Sequence, residues 1–365
     1  MTKNENKVRE PLFHIIKRPA IEPLIAWLIR AIAIIAAILV SAVVIVVLTK
    51  ENPFEVFLGF IKGNFGSARK IWKMAQDLAM LLIIAIAVTP AFKMKFWNLG
   101  AEGQVLVGGL AAIVCMREIA DSIPNFLLLI IMFLAALVGG MIWGIIPALF
   151  KAKWNTNESL FTLMMNYIAM QLVSFAIMKW VPNGSSVMGV VNQKTGAGWL
   201  PSLFGQKYLF NIIVVVICTA VMYVYLMYSK HGYEISVVGE SEKTAKYIGI
   251  NVKKVIIRTM LFSGALCGLA GFLLVAGTDH SITTNLAGGN GFTAIIVSWL
   301  AKFNPLVMCA TSFLIVFLGN GASQIAMQFG LNESVADIIS GIIIFFIIGC
   351  EFFINYRIVR THKEV

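Results

Sequence analysis

The chain has 365 residues, 59% hydrophobic and 13% charged, with a mean hydropathy of +0.85. That balance excludes an ordinary soluble globular protein and reads as an all-α polytopic membrane protein. The net charge of +11 comes from basic residues scattered among loops, so a bilayer explains it better than nucleic acid does.

Met1 to Pro23 carries Lys3, Lys7, Arg9, Lys17 and Arg18, which places residues 1–23 in the cytoplasm. Residues 24–354 read as one transmembrane domain and 355–365 as a cytoplasmic tail with Arg357, Arg360 and Lys363. Leu24 to Leu48 is the first span, too long for a signal-peptide core and without a small-residue cleavage site. Arg30 lies near its start, where it can snorkel. Lys50 to Lys73 follows as an outer segment with an interfacial helix. Ala75 to Phe92 is the second span.

Lys93 to Gln104, KMKFWNLGAEGQ, leads through glycines into a short apolar run, Val105 to Met116, the pattern of a broken or re-entrant helix. Asn125 to Phe150 is a span with Gly139, Gly140 and Gly144 for close packing. Glu158 to Val181 comes next, and inside it Asn166 and Gln171 need partners. Pro182 to Lys207 reads as an outer loop and Tyr208 to Tyr228 as the span back inward.

Ser229 to Arg258 is a polar island between two apolar runs, with six Lys/Arg against three Glu. Ser241 can cap a short helix and Gly249 can stop it, so Ser241 to Ile248 reads as two turns with Ala245 and Ile248 on one face. Such an island is either a docking element or a solvated connection. Ile256 to Gly277 then crosses outward, with Gly264, Gly268 and Gly271. Thr278 to Asn290 is an outer loop, and Gly291 to Ala301 a second short apolar run. Pro305 to Gly319 and Ser334 to Ile354 are spans, with a turn region over Asn320 to Asn332.

Ten spans or near-spans result, with both termini inside. Inner segments then hold nineteen Lys/Arg and outer ones nine, with Arg30 completing the twenty-nine. Asn98-Leu99-Gly100-Ala101 and Asn285-Leu286-Ala287-Gly288 open the two short runs, from opposite faces in this topology, as an inverted repeat requires. Five cysteines and four histidines show no disulfide framework or metal spacing, so no metal is expected. No nucleotide-binding phosphate loop is present in the sequence.

Three stretches carry a family resemblance: FWNLGAEGQVLVGGLAA (Phe96 to Ala112), NESLFTLMMNYIA (Asn157 to Ala169), and VVGESEKTAKYIGI (Val237 to Ile250) leading into SGALCGLAGFLLVAG (Ser263 to Gly277). Together they resemble the inner-membrane permease subunits of bacterial ABC importers for sugars and nucleosides, the ribose-permease-like group. The nearest branch is the nucleoside one served by a basic-membrane-protein type lipoprotein receptor.

The resemblance implies a type II-like permease that couples to a separate cytoplasmic ATPase and pairs with a second permease, a non-identical paralogue or a second copy. It implies no enzymatic chemistry in this chain, no cofactor bound by it, and ATP with Mg on the partner ATPase. Gly239, Glu240, Ser241, Ala245, Ile248 and Gly249 then form the coupling element. A nucleoside pathway calls for amides, hydroxyls and aromatic faces, and the candidates are Trp97, Asn98, Glu102, Gln104, Asn166 and Asn290. Each has a plainer reading: Trp97 as an interfacial anchor, Asn98 as a helix cap, Glu102 as a partner of Lys93 or Lys95, Asn166 and Asn290 as partners of nearby backbone. A pentose or galactose importer and an ion-coupled secondary transporter are the alternatives. The latter would need intramembrane carboxylates, of which the spans offer few beyond Glu102 and Glu158.

Overall fold

The computed structural model of the chain describes residues 13–18, 22–50, 52–181, 188–330 and 332–360. The basic residues Lys3, Lys7, Arg9 and Lys363 lie outside the described residues, as does the 182–187 start of the outer loop. In chain order the helices are α1 (Pro23–Thr49), α2 (Pro53–Phe65), α3 (Ala68–Lys93), α4 (Ala101–Glu118), α5 (Asn125–Trp154), α6 (Glu158–Trp180) and α7 (Leu209–Tyr228). They continue with α8 (Lys230–Glu240), α9 (Glu242–Tyr247), α10 (Val252–Leu274), α11 (Asn290–Leu300), α12 (Pro305–Phe329) and α13 (Glu333–Asn355). Eight of these are long and apolar enough to cross a membrane, and the 18-residue α4 and 11-residue α11 supply the two shorter elements.

The starts follow local rules. Asn52, Asn157, Ser241, Asn251 and Asn332 each accept a backbone N–H of the first turn of α2, α6, α9, α10 and α13. The chain divides into two compact units, one of Ala68–Val316 and one of Met1–Ser67 with Phe317–Val365.

In the larger unit α10 packs against α5, α4 and α3, and α3 also lies against α11 and α7. Both α3 and α10 are enclosed by other helices, whereas α5, α6 and α7 turn one face outward, with Leu134, Val138, Ile142, Phe175, Val216 and Val221 exposed. A belt of that kind suits lipid. The enclosure depends on small residues: a Cβ on Gly268 would meet the Ala136 carbonyl of α5, and one on Gly140 would meet the Gly264 carbonyl of α10. In hydrocarbon, where apolar burial drives little association, such backbone proximity is the main source of helix–helix attraction.

The direction of the helices is set by two contacts. Gln76, early in α3, donates to Thr278 beyond α10 at 2.7 Å, while Lys93 at the other end donates to the Leu226 carbonyl of α7 at 3.3 Å. One end of the bundle therefore carries α8 and α9, and the opposite end carries the 188–208 loop. That loop is fastened down. Leu200 N–H donates to the Ala276 carbonyl and Val191 N–H to the His280 carbonyl, and the Trp199 ring stacks on His280 at 3.9 Å and 8°. Beneath it α10 widens into a π-helical turn over Val275–Asp279.

In the smaller unit α1 packs on α13, and Arg30 forms a 2.6 Å ion pair with Glu351. Arg30 therefore has a partner 321 positions away and does not simply snorkel. Strand β1 (Phe13–Lys17) pairs antiparallel with β2 (Tyr356–Arg360), so part of what reads as polar tails is ordered.

Two more expectations are corrected. The turn region over Asn320 to Asn332 is helix as far as Phe329, because Gly321 lets Phe60 of α2 approach and the left-handed stop comes at Gly330, φ 63°. The polar island also holds a second helix, α8, capped by Ser229.

Gly268→Ala should destabilise the detergent-solubilised protein by about 1–3 kcal/mol in thermal unfolding. Gly341→Ala, which meets open space, should leave it unchanged. Burial and the nearby Lys207 charge push His280 down to about 4, against an opposing interaction with the Val275 backbone. The unfolded chain therefore takes this proton first, at about 6.5, so stability is full above that pH and falls as pH drops toward about 4. Melting curves between pH 7 and pH 4 should show that loss in the wild type and less of it in His280→Asn, which tolerates the left-handed backbone at φ 51°.

Candidate functional site

Between α3 and α4 the chain leaves the α9 end of the bundle and runs to mid-depth, where α4 begins. Asn98 is fully buried there: its Oδ1 accepts from Gly100 N–H at 3.1 Å and from Gln104 Nε2 at 3.3 Å, and its Nδ2 donates to Ser263 of α10. Two residues one turn apart on α6 clamp the same segment. Thr162 Oγ1 accepts from Leu99 N–H at 3.1 Å; Asn166 accepts from Gly103 N–H at 2.8 Å and donates to the Leu99 carbonyl at 2.7 Å.

Glu102, in the first turn of α4, reaches a different helix. Its two carboxyl oxygens accept from Gly289 N–H at 2.9 Å and Gly291 N–H at 2.8 Å. Those groups are the open amino end of α11, so a side chain 187 positions away caps it. From this point α4 runs toward the 188–208 loop, where Met116 accepts from Asn192, and α11 runs the other way, to where Ser298 meets Thr89 of α3. The 18-residue α4 and the 11-residue α11 thus start nose to nose in the middle of the bundle. Both positive dipole ends point at one carboxyl group.

This places the six pathway candidates in two groups. Asn98, Glu102, Gln104 and Asn166 are buried, and within the group Gln104 donates to Asn98. Asn98 closes a turn onto Gly100 N–H ahead of α4 and does not cap the helix, and Glu102 partners backbone rather than Lys93 or Lys95 among the described residues. Gln104 keeps Oε1 buried with no hydrogen-bond partner. Trp97 is 46% exposed and Asn290 half-buried.

Trp97 has a companion that sequence reasoning missed. Trp299 of α11 stacks on it at 5.7 Å and 24°, itself 44% exposed, with Phe92 edge-on to both and Phe303 edge-on to Trp299. Two adjacent indoles with open faces, next to buried amides, suit a flat ring with polar edges.

At the α9 end, Ser241 Oγ accepts from Thr244 N–H, Gly249 adopts φ 85°, and Ile250 N–H returns to the Ala245 carbonyl at 2.9 Å. Ala245 is fully buried among Ala91, Met94, Phe96, Val238, Val255 and Met260. Gly239 is equally committed, since a Cβ there would meet the Lys93 carbonyl. Glu240, Ile248 and Gly249 are exposed.

Ala245 and Ile248 therefore do not share a face. The helix ends at Tyr247, and Ile248, at φ −88° and ψ 12°, has left the helical register. Tyr247, absent from the candidate set, is 92% exposed. Behind α9, Arg258 of α10 bonds Glu234 of α8 at 2.8 Å and holds its carboxyl below the usual carboxylate range against the opposing effect of burial. Among the described residues no three His, Cys, Asp or Glu side chains gather to hold a metal.

The sequence profile of a family described as branched-chain amino acid transport system / permease component matches residues 71–348. A glucose ABC transporter permease of Haloferax volcanii is 28% identical over 347 residues, covering 91% of this chain and 90% of the relative. A guanosine ABC transporter permease of Bacillus subtilis is 28% identical over 327 residues, covering 88% and 92%. A nucleoside ABC transporter permease of Lactococcus lactis subsp. cremoris is 26% identical over 330 residues, covering 88% and 90%.

Glu102→Gln keeps one acceptor and turns an amide donor against the other backbone N–H. It should cost about 1–3 kcal/mol in thermal unfolding, whereas Glu240→Gln at the exposed end should cost nothing measurable.

Proposed function

The chain belongs to the branched-chain amino acid transport system / permease component family, and we propose that it forms the translocation path for nucleosides in an ATP-driven importer. It is a multi-pass membrane permease subunit of the ABC type, and as such it works with an ATPase and a substrate-binding protein. The observation that carries the mechanism is a shared segment. Met94 and Phe96 help form the seat of Ala245, and Trp97 and Asn98 follow them directly in the chain.

In this reading α9 faces the cytoplasm, Tyr247 with the flanking Glu240 and Ile248 meets the ATPase, and Gly239 and Ala245 fix the element to the bundle. When ATP, held with Mg on the partner, draws two ATPase subunits together, α9 moves and its seat moves with it. The Met94 to Asn98 segment then shifts the Trp97–Trp299 pair, which lies between the α9 end and mid-depth, and the path opens to one side or the other. Two permease chains, a second copy or a non-identical paralogue, enclose the path, and the 188–208 loop faces a receptor lipoprotein outside the cytoplasmic membrane. Both termini lie in the cytoplasm. No bond is made or broken on this chain.

Nucleosides suit the pathway because a base can lie on the open indole faces of Trp97 and Trp299. A hexose is the second reading: the Haloferax relative is named for glucose, and indole faces also receive the apolar faces of sugars.

Proteoliposomes holding the full permease, its ATPase and binding protein test this. Labelled guanosine should accumulate only with ATP, and Trp299→Ala should raise the half-saturation concentration about tenfold, within the range of one lost base-stacking contact. Ile248→Asp should abolish uptake while the solubilised chain melts as before, and Gly249→Val should abolish it with a lowered melting temperature, because a β-branched residue is strained at φ 85°. Uptake driven by an ion gradient without ATPase would eliminate the reading, and accumulation of glucose in place of guanosine would transfer it to sugars.

A further inference from the structure

Beside α9 lies a cleft of about 390 Å³, lined by Lys230, His231 and Glu234 of α8, by Ile248 to Asn251, and by Lys254, Val255 and Arg258 of α10. It is framed by the first turns of two helices. Ser229 caps α8 by accepting from Gly232 N–H at 3.0 Å, and Asn251 caps α10 by accepting from Lys254 N–H at 3.1 Å. Neither first turn contains an acidic residue. Both carry lysine instead, the wrong sign for the positive end of a helix dipole. Lys230, His231, Lys254 and Arg258 face a single carboxyl group, Glu234, which is taken up by Arg258 at 2.8 Å.

Arg258 supplies a second, independent observation. One arm of its guanidinium serves Glu234, yet its Nε is buried with no hydrogen-bond partner. The side chain as a whole is 27% exposed, and its charge also acts on Tyr225. The cleft also sits at a set depth: Lys230 follows two residues after the end of α7, and Lys254 lies in the first turn of α10. For two membrane-crossing helices that is the level of the lipid headgroups.

We propose that this cleft binds a phosphate group, with Lys230, Lys254 and Arg258 as its ligands and His231 at its rim. The phosphate can come from the headgroup of an anionic phospholipid or from free phosphate. In either case the ligand ties the start of α8 to the start of α10 directly behind the exposed end of α9, at Ile248 and Gly249, and so stiffens the platform on which α9 rests. This site is separate from the Trp97–Trp299 pair and does not depend on what the permease carries.

The test uses the full-length chain in uncharged detergent. Thermal unfolding and native mass spectrometry are followed with dioctanoyl phosphatidylglycerol, dioctanoyl phosphatidylcholine and inorganic phosphate. Phosphatidylglycerol should bind and raise the melting temperature, with phosphatidylcholine at least fivefold weaker. Lys230→Gln and Lys254→Gln should each weaken binding about fivefold, as expected for one basic residue at an anionic lipid surface. Both lysines are exposed, so the variants keep the fold, which circular dichroism checks. Lys194→Gln, an exposed lysine in the 188–208 loop, should change nothing. A matching shift with inorganic phosphate alone would support the site and name free phosphate as its source. No shift with either probe, equal binding of phosphatidylcholine, or undiminished binding in the double lysine variant would overturn it.

Discussion

The middle of the bundle depends on one contact, the Glu102 carboxyl group accepting the N–H groups of Gly289 and Gly291 at 2.9 and 2.8 Å. A helix that begins inside hydrocarbon exposes N–H groups that water cannot reach, and each costs several kcal/mol if left open. The bundle has two such beginnings, at Gly100 and Gly289. Asn98, Thr162 and Asn166 satisfy the first, and Glu102 satisfies the second. The same carboxyl is the counter-charge for two converging helix dipoles. Without it α11 would have no reason to start where it does, and Trp299 would not lie against Trp97.

Around this centre the helices are held by proximity rather than by side-chain bulk. Gly140, Gly264 and Gly268 bring the backbones of α5 and α10 together, and Gly108 and Gly271 do the same for α4 and α10. Closely packed elements of this kind slide or rock as bodies and do not deform smoothly. An alternating-access transporter needs that property. The polar contacts at mid-depth then move with the bodies that carry them.

The seat of α9 is built on close approach of the backbone. Gly239 and Ala245 are small because the chain passes directly beneath them, at Lys93 to Phe96. That passing strand leads at once to Trp97 and Asn98. The small residues of the polar island and the open indoles are therefore joined by one short stretch of chain.

The sequence by itself determined the number of crossing elements, the two short runs, the glycine-packed pair of spans and the capped turn at Ser241, because hydropathy, caps and breakers act over a few residues. It also singled out Glu102 and Asn166, since polar groups in apolar runs demand partners. Tertiary structure alone decided who those partners are. Glu102 bonds backbone 187 positions away, Arg30 pairs with Glu351, and Trp299 stacks on Trp97 across two separate short runs. It also decided that Ala245 turns in while Tyr247 and Ile248 turn out, and that α12 continues through Gly319 and Gly321. Local pattern states that a buried donor or acceptor must be satisfied; only the packing of whole helices, fixed by where glycine lets backbones touch, states by what.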